Sequence, residues 1–165
     1  MVRTQARRKA AGRGQVLVEV LLVLPVFLLV VFTIMEIGFL AFHTILIHHA
    51  AYEAARFASL TAKPDVATSN CPDPPTVPPD YQNVVKKMFN GDAEAGLYTG
   101  QPIRTLKDKQ EGCNNYDVAV QVSRVIPMVF PLTGIVLGNT RAPDGRPARR
   151  LTAIVRMPIE RPLFK

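Results

Sequence analysis

The chain has 165 residues, enough for one small domain and one membrane-spanning segment. Its formal net charge of +7 is compatible with nucleic-acid binding, but five of the twenty Lys and Arg residues precede Gly14, where no acidic residue occurs. The rest of the chain has a small positive excess and no aromatic-interleaved basic patch, helix-turn-helix or zinc-finger pattern, which argues against a nucleic-acid partner. A basic leader before an apolar segment instead predicts an N-terminus that stays in the cytoplasm.

A long apolar run follows the leader. Residues 20–35 contain no charged residue, and apolar character continues to Ile47, interrupted by Glu36 and His43. The run is longer than the roughly 7–15 apolar residues of a secretory signal, and no A-x-A-like cleavage site closely follows it. Since a helix rises about 1.5 Å per residue, the run can cross a hydrocarbon core of roughly 30 Å. It predicts one spanning helix at about residues 16–42, in contact with membrane lipid, with the C-terminal domain outside the cytoplasm.

The helical pattern continues beyond the membrane. Residues 43–62 contain no Gly or Pro and are rich in alanine, and Pro64 disfavours helix at the residue before it. The predicted helix therefore covers residues 15–62, apolar first and amphipathic later, with Pro25 expected to kink or loosen it. Small residues recur at helical spacing, and they either permit close approach of a partner helix or pack on their own domain: Ala50, Ala51, Ala54, Ala55 and Ala58.

Glu19 is the unusual residue of the apolar run. A charged side chain at the centre of a bilayer costs roughly 3 kcal/mol by insertion scales and usually has a function. If a peptidase cuts after Gly14, the new α-amino group of Gln15 lies one helical turn from Glu19, or beside Glu19 of a neighbouring subunit. Pairing between subunits would set their axial register and offset the cost of burial. In the alternative interpretation, Glu19 extends to the cytoplasmic headgroups.

Glu36 lies about 25 Å farther along the helix axis, which places it near the opposite interface. A carboxylate costs little there. Its side chain is expected either to contact a partner helix or to be hydrated.

Several motifs occur together in the N-terminal third of the chain. They are the Gly14 and Gln15 pair, Glu19, the L-V-L-P of residues 22–25, the E-x-G of residues 36–38 and the A-A-x-E-A-A-R of residues 50–56. In this combination, residues 12–60 resemble the TadE-like family of pseudopilins, minor prepilin-like proteins of tight-adherence (Tad, Flp-type) pilus and secretion systems.

The resemblance implies cleavage after Gly14 by a prepilin peptidase and insertion in the inner membrane. It also implies action with other pilin and pseudopilin subunits and with the pilus assembly machinery. Major Flp pilins are short and usually have tyrosine after the glutamate, whereas Val20 follows Glu19 here and the domain beyond the membrane is large. The difference favours a minor subunit over the main filament protein. Its domain beyond the single span is expected to be periplasmic or extracellular.

Residues 63–165 are expected to form an extracytoplasmic α+β domain. A proline-rich connector at 63–80 leads to a short helix at 81–90, for which Asp80 is the predicted N-cap and Gly91 the stop. Residues 91–115 are polar and turn-rich, with one candidate strand at 103–107.

Two strands are predicted from alternation of apolar residues. One contains Val118, Val120 and Val122, and the other has apolar residues at every second position from 151 to 159. Two antiparallel strands against the outer half of a long helix give an α+β, pilin-like fold. Between them, the apolar residues 128–137 either pack in the core or form a patch for a partner.

The two cysteines, Cys71 and Cys113, both fall outside the cytoplasm in the predicted topology, where disulfides persist. An even count in an oxidising compartment favours an intrachain bridge, which would stabilise the fold by roughly 4 kcal/mol in the chain-entropy model. Free thiols and intersubunit bridges are the alternatives. Neither these cysteines nor His43, His48 and His49, which lack i,i+4 spacing, predict a metal site. No catalytic motif and no cofactor-binding motif is recognised.

The sequence therefore favours a structural assembly protein. The competing hypothesis is a bitopic protein whose helix anchors an extracytoplasmic ligand-binding module. The membrane span and the paired cysteines fit both hypotheses, whereas glutamate five residues after the leader glycine fits only the first. An anchored enzyme has no supporting residues.

Overall fold

The computed structural model describes residues 3–63, 75–98, 103–107, 114–130 and 132–159, with side chains described within 15–63, 75–98, 116–130 and 132–159. The elements in chain order are α1 (Arg3–Thr61), α2 (Tyr81–Phe89), β1 (Ala93–Leu97), β2 (Ile103–Lys107), β3 (Asn114–Pro127), α3 (Thr133–Leu137), β4 (Thr140–Arg141) and β5 (Pro147–Pro158). A long apolar helix and a small antiparallel sheet confirm the predicted α+β class.

Helix α1 is a single element of 59 residues, about 88 Å long at roughly 1.5 Å per residue. It begins within the leader and ends at Thr61, one residue before the predicted end. The helix continues unbroken through Pro25. The stretch from Gln15 is long and apolar enough to cross a membrane, which is consistent with a single-pass membrane protein.

The sheet is built around β3. Strand β5 pairs with β3 along nearly its whole length, from Asp117 opposite Pro158 to Pro127 opposite Ala148. Strands β1 and β2 share the other edge of β3, and β4 adds to the outer edge of β5. The candidate strand at 103–107 is confirmed as β2. Strand β1 was not predicted, because its sequence AEAGL lacks β-branched residues and its conformation depends on pairing with β3.

The core lies between α1 and the sheet. Alanines of α1 from Ala50 to Ala58 contact the valines of β3, and α2 closes the side of this layer with its buried residues Tyr81, Val85 and Phe89. A second, smaller cluster of Leu40, Ile126 and Met128 continues the packing toward the apolar N-terminal half of α1. The short alanine side chains let the helix backbone lie close to the valine face of the sheet.

Helix α2 is confirmed at the predicted position, with different caps. Asp80 occupies the N-cap position, but its side chain makes no capping hydrogen bond. The helix ends through Asn90, which adopts a left-handed conformation at φ 50°, and Gly91 follows at φ 87°. The backbone N–H of Gly91 donates to the carbonyl of Lys86 at 3.0 Å, so the two residues end the helix together.

Candidate functional site

Strand β3 runs back along α1 toward the apolar N-terminal half of the helix. Its valines pack on the outer alanines of the helix, Ile126 and Met128 pack near Leu40, and the next residues reach Glu36. The ring of Phe130 stacks on Phe32 with centroids 5.5 Å apart and an interplanar angle of 13°. The connection between β3 and β5 therefore lies beside the apolar part of the helix.

The carboxylate of Glu36 is fully buried and holds this connection. It accepts hydrogen bonds from the backbone N–H of Val129 at 3.2 Å and of Phe130 at 2.9 Å. The hydroxyl of Thr133, also buried, lies 3.1 Å from the same carboxylate and 2.8 Å from the carbonyl of Phe130. A buried carboxylate is tolerated when donors surround it in this way. Glu36 thus fixes the turn that follows β3 against the helix.

This environment differs from the expectation for Glu36. The sequence predicted a hydrated carboxylate or a contact with a partner helix, whereas the side chain is buried inside its own chain. Its partners lie between 93 and 97 positions away, so no local pattern around Glu36 announces them. The available signal was the polar Thr133 within an apolar segment.

The apolar segment 128–137 is divided between core and surface. Met128 and Thr133 are buried, but four large apolar side chains are exposed, and we call these four the apolar tip: Val129 (59%), Leu132 (61%), Ile135 (80%) and Val136 (66%). Helix α3, which carries two of them, is held by a close approach between Gly134 and Pro147. An added Cβ on Gly134 would lie 2.3 Å from the Cβ of Pro147, so only glycine fits there.

Glu19 has the opposite environment to that of Glu36. Side chains at 16–30 are nearly all exposed, since no described part of the domain packs there. Glu19 is exposed among them, and no described residue of its own chain pairs with it. It borders a shallow apolar groove of about 300 Å³ together with Val16, Val20, Val23, Leu24 and Phe27. A carboxylate in such a setting lacks the donors that make its burial in lipid tolerable.

The predicted cleavage point lies at the N-terminal end of this exposed stretch of α1. Gly14 and Gln15 are both helical, and the Gln15 side chain is exposed. Gln15 precedes Glu19 by four positions, which places the two residues on one face of the helix.

The alanines considered as a possible interface are buried within the chain. Ala50, Ala51, Ala54 and Ala55 each have no exposed surface and belong to the main core. Of the two interpretations given by the sequence, packing on their own domain is the one the fold displays. The exposed face of the same helix instead carries Ile34, Met35, Phe42, Ile45 and Tyr52.

Cys71 and Cys113 lie outside the described residues, and their pairing stays a prediction. Within the described ranges, no group of three or more His, Cys, Asp or Glu residues is placed to hold a metal ion. An open cleft of about 760 Å³ lies at the edge of the sheet, lined by Arg124, Arg141 and Arg150 together with Asp92, Glu94 and Asp144.

Residues 14–56 match the family model described as TadE-like protein. The chain carries a TadE-like segment. The match includes Gly14, Glu19, Glu36 and the buried alanines, and it confirms the resemblance recognised in the sequence. It covers about a quarter of the chain, and most of the domain beyond the helix lies outside it. The comparisons with curated proteins and with solved structures found no match.

Two of the three glutamates in the TadE-like segment, Glu19 and Glu36, lie in opposite environments. Glu36 holds the domain of its own chain, and Glu19 is exposed with no partner among the described residues. The TadE-like match connects the chain in general terms with Tad and Flp pilus systems.

Proposed function

We propose that the chain is a TadE-like minor pseudopilin that takes part in assembling a tight-adherence (Flp-type) pilus or a related secretion machinery. The observation that carries the proposal is the exposed Glu19, which has no partner among the described residues and lies on an uncovered apolar stretch of helix that matches the TadE-like model. The proposed role is structural rather than enzymatic: the helix packs with other pilin and pseudopilin helices in the membrane or filament.

In this proposal, a prepilin peptidase removes residues 1–14 and the helix stays in the inner membrane with its domain on the periplasmic side. The basic leader supports this orientation, since Lys and Arg are retained in the cytoplasm. Cleavage gives Gln15 a positively charged α-amino group. Glu19 of a neighbouring subunit then pairs with this amine, which removes the cost of an unpaired carboxylate in lipid and sets the axial register.

The first experiment is N-terminal sequencing of the membrane-extracted chain from strains with and without the prepilin peptidase. A mature chain beginning QVLVE only when the peptidase is present is the expected result. An intact start at Met1 or Val2 in both strains would contradict the proposal, because the amine that Glu19 is to meet would not form.

The second experiment tests the pairing itself. A carbodiimide joins an amine to a contacting carboxylate without a spacer, so treated membranes should contain dimers linked from Gln15 to Glu19. Glu19→Gln should abolish the link and reduce assembly, while Val18→Ala, on the same exposed turn, should retain both. Normal assembly of Glu19→Ala would refute the pairing.

The open cleft gives some support to a second function, that of a membrane anchor for a ligand-binding module. Its three arginines and three acidic residues offer a polar surface for a small ligand. N-terminal sequencing separates the two functions, because a simple anchor requires no cleavage after Gly14.

A further inference from the structure

The free part of α1 is too short to cross a bilayer alone. The side chains that the domain leaves uncovered all round the helix are those of residues 16–30, which extend about 22 Å. A hydrocarbon core is roughly 30 Å thick, and a charge limits extension in the other direction, that of Arg13 before cleavage and that of the Gln15 α-amino group after it. The remaining thickness of about 8 Å, or roughly five residues, must be supplied by the helix next to Phe32 and Glu36.

The domain covers the helix at that depth with the turn after β3. Phe130 stacks on Phe32, and Val129 and Thr133 contact the Glu36 carboxylate. The apolar tip projects from this turn with between 59% and 80% of each side chain exposed. Exposed apolar side chains concentrated beside a spanning helix extend the surface that contacts lipid, and such a patch is unfavourable in contact with water.

Four backbone N–H groups of the described turn and of the segment after it have partners within the chain. Irregular backbone is tolerated near hydrocarbon only when its polar groups are satisfied internally. The N–H groups of Val129 and Phe130 donate to Glu36, that of Ile135 donates to the carbonyl of Leu132 at 3.1 Å, and that of Gly138 donates to the carbonyl of Gly134 at 3.2 Å. The buried carboxylate therefore supplies acceptors that water would otherwise provide.

Basic residues follow the tip in the chain. Residues 139–150 contain four arginines and one aspartate: Arg141, Arg146, Arg149, Arg150 and Asp144. Arg149 donates to the carbonyl of Leu137 at 3.1 Å, which ties this group to α3. Arginine near a membrane surface extends its charge to the headgroups while its stem stays on apolar surface, and anionic lipids attract it.

We propose that the apolar tip is seated in the lipid leaflet on the domain side of the membrane, with the arginines of 139–150 at the headgroups. The inference rests on the proposed membrane span of α1. The tip thus acts as a second, shallow anchor that fixes the tilt and rotation of the domain relative to the bilayer. Subunits anchored at two points present their exposed helix face in one defined direction.

The chain contains no tryptophan, so single tryptophans report their own surroundings. The full chain would be placed at low density in vesicles of phosphatidylethanolamine and phosphatidylglycerol, with lipids brominated either near the headgroup or deep in the acyl chains. In Ile135→Trp and Val136→Trp, the lipid brominated near the headgroup should quench about half of the tryptophan emission. Groups bound at the interface lie roughly 5–10 Å into the headgroup and acyl boundary, close to those bromines. Ile154→Trp, an exposed site on β5, should keep its emission with both lipids.

A third site separates this inference from the membrane span. Phe27→Trp, in the free part of the helix, should be quenched by the deep bromines. If Phe27→Trp is quenched while the tryptophans at 135 and 136 match the one at 154, the tip is outside the lipid and the inference is wrong. If the emission of the tryptophans at 135 and 136 is blue-shifted but is not quenched by either lipid, another protein chain covers the tip, which also overturns the inference. Absence of quenching at Phe27→Trp would overturn the span and the inference together.

Discussion

The carboxylate of Glu36 and the backbone N–H of Phe130 form a 2.9 Å hydrogen bond across 94 positions of the chain. This contact joins the middle of a 59-residue helix to the turn after the central strand. The other carboxylate of the apolar run, Glu19, is exposed and has no such partner among the described residues. One glutamate therefore holds the fold, and our proposal gives the other a role in assembly.

Replacement of Glu36 by leucine should destabilise the domain. Glu36→Leu keeps most of the side-chain volume but leaves the backbone N–H groups of Val129 and Phe130 without this acceptor, whereas the Thr133 hydroxyl keeps the carbonyl of Phe130 at 2.8 Å. Each unsatisfied buried donor costs about 1–3 kcal/mol, so the loss of an acceptor for two of them should lower the free energy of unfolding by about 2 kcal/mol or more. Denaturant unfolding in detergent, followed by circular dichroism, measures this change. Glu36→Gln, which retains one acceptor oxygen, should lose less.

Glu19→Gln is the matched control on the same helix. Its free energy of unfolding should stay within about 0.5 kcal/mol of the parent, because its side chain contacts no described part of the fold. The same variant should assemble poorly, whereas loss of assembly in Glu36→Leu should accompany loss of stability. Equal stability losses in the two variants would contradict the separation of roles.

The parts of the fold that sequence predicted are those with a local pattern. The apolar run of α1, the helical spacing of Val85 and Phe89 in α2, and the alternation in β3 and β5 are each visible within one short window. Their boundaries agree with the structure to within a few residues for that reason.

The parts that sequence did not predict depend on distant partners. Strand β1 contains AEAGL and forms only because Ala93 to Leu97 pair with Arg124 to Val120. The burial of Glu36 likewise depends on a turn more than 90 positions away. For the alanines of α1, the pattern predicted close packing but did not identify the packed surface, since a partner helix and the chain's own sheet make the same demand on side-chain size.

Enlarging a buried alanine should test that packed surface. Ala54→Leu inserts three carbons where no surface is exposed, and overpacking of this kind typically costs about 1–3 kcal/mol. The control is Ala41→Leu, at an exposed position of the same helix, which should leave stability nearly unchanged. Thermal unfolding of both variants in detergent gives the comparison. If Ala54→Leu unfolds like the parent while its assembly is lost, the alanine surface faces a partner subunit instead.

The predicted bridge between Cys71 and Cys113 is testable by thiol labelling. Unreduced protein extracted from the membrane should not react with a maleimide, and reduction should make both thiols reactive. Loss of the bridge in Cys71→Ser should lower the free energy of unfolding by roughly 2–4 kcal/mol. Labelling of both cysteines before reduction would contradict the bridge, and a dimer that disappears on reduction would indicate an intersubunit bond.

Alanine substitution at two glycines should change stability in opposite directions. Gly134→Ala would bring a methyl group to 2.3 Å from Pro147, which must move β5 away from α3 and release the turn that Glu36 holds. A loss of about 1–3 kcal/mol is expected, as for other overpacked sites.

Gly38→Ala is the opposite case. No atom lies within 4 Å of a Cβ added there, so alanine should improve the helix by about 1 kcal/mol. Unfolding curves of the two variants, measured in parallel in detergent, test both the predicted loss of stability in Gly134→Ala and the predicted gain in Gly38→Ala. A stable Gly134→Ala protein would show that α3 is not held by its contact with β5. A stabilised Gly38→Ala chain that fails to assemble would indicate that Gly38 is kept small for a helix of another subunit.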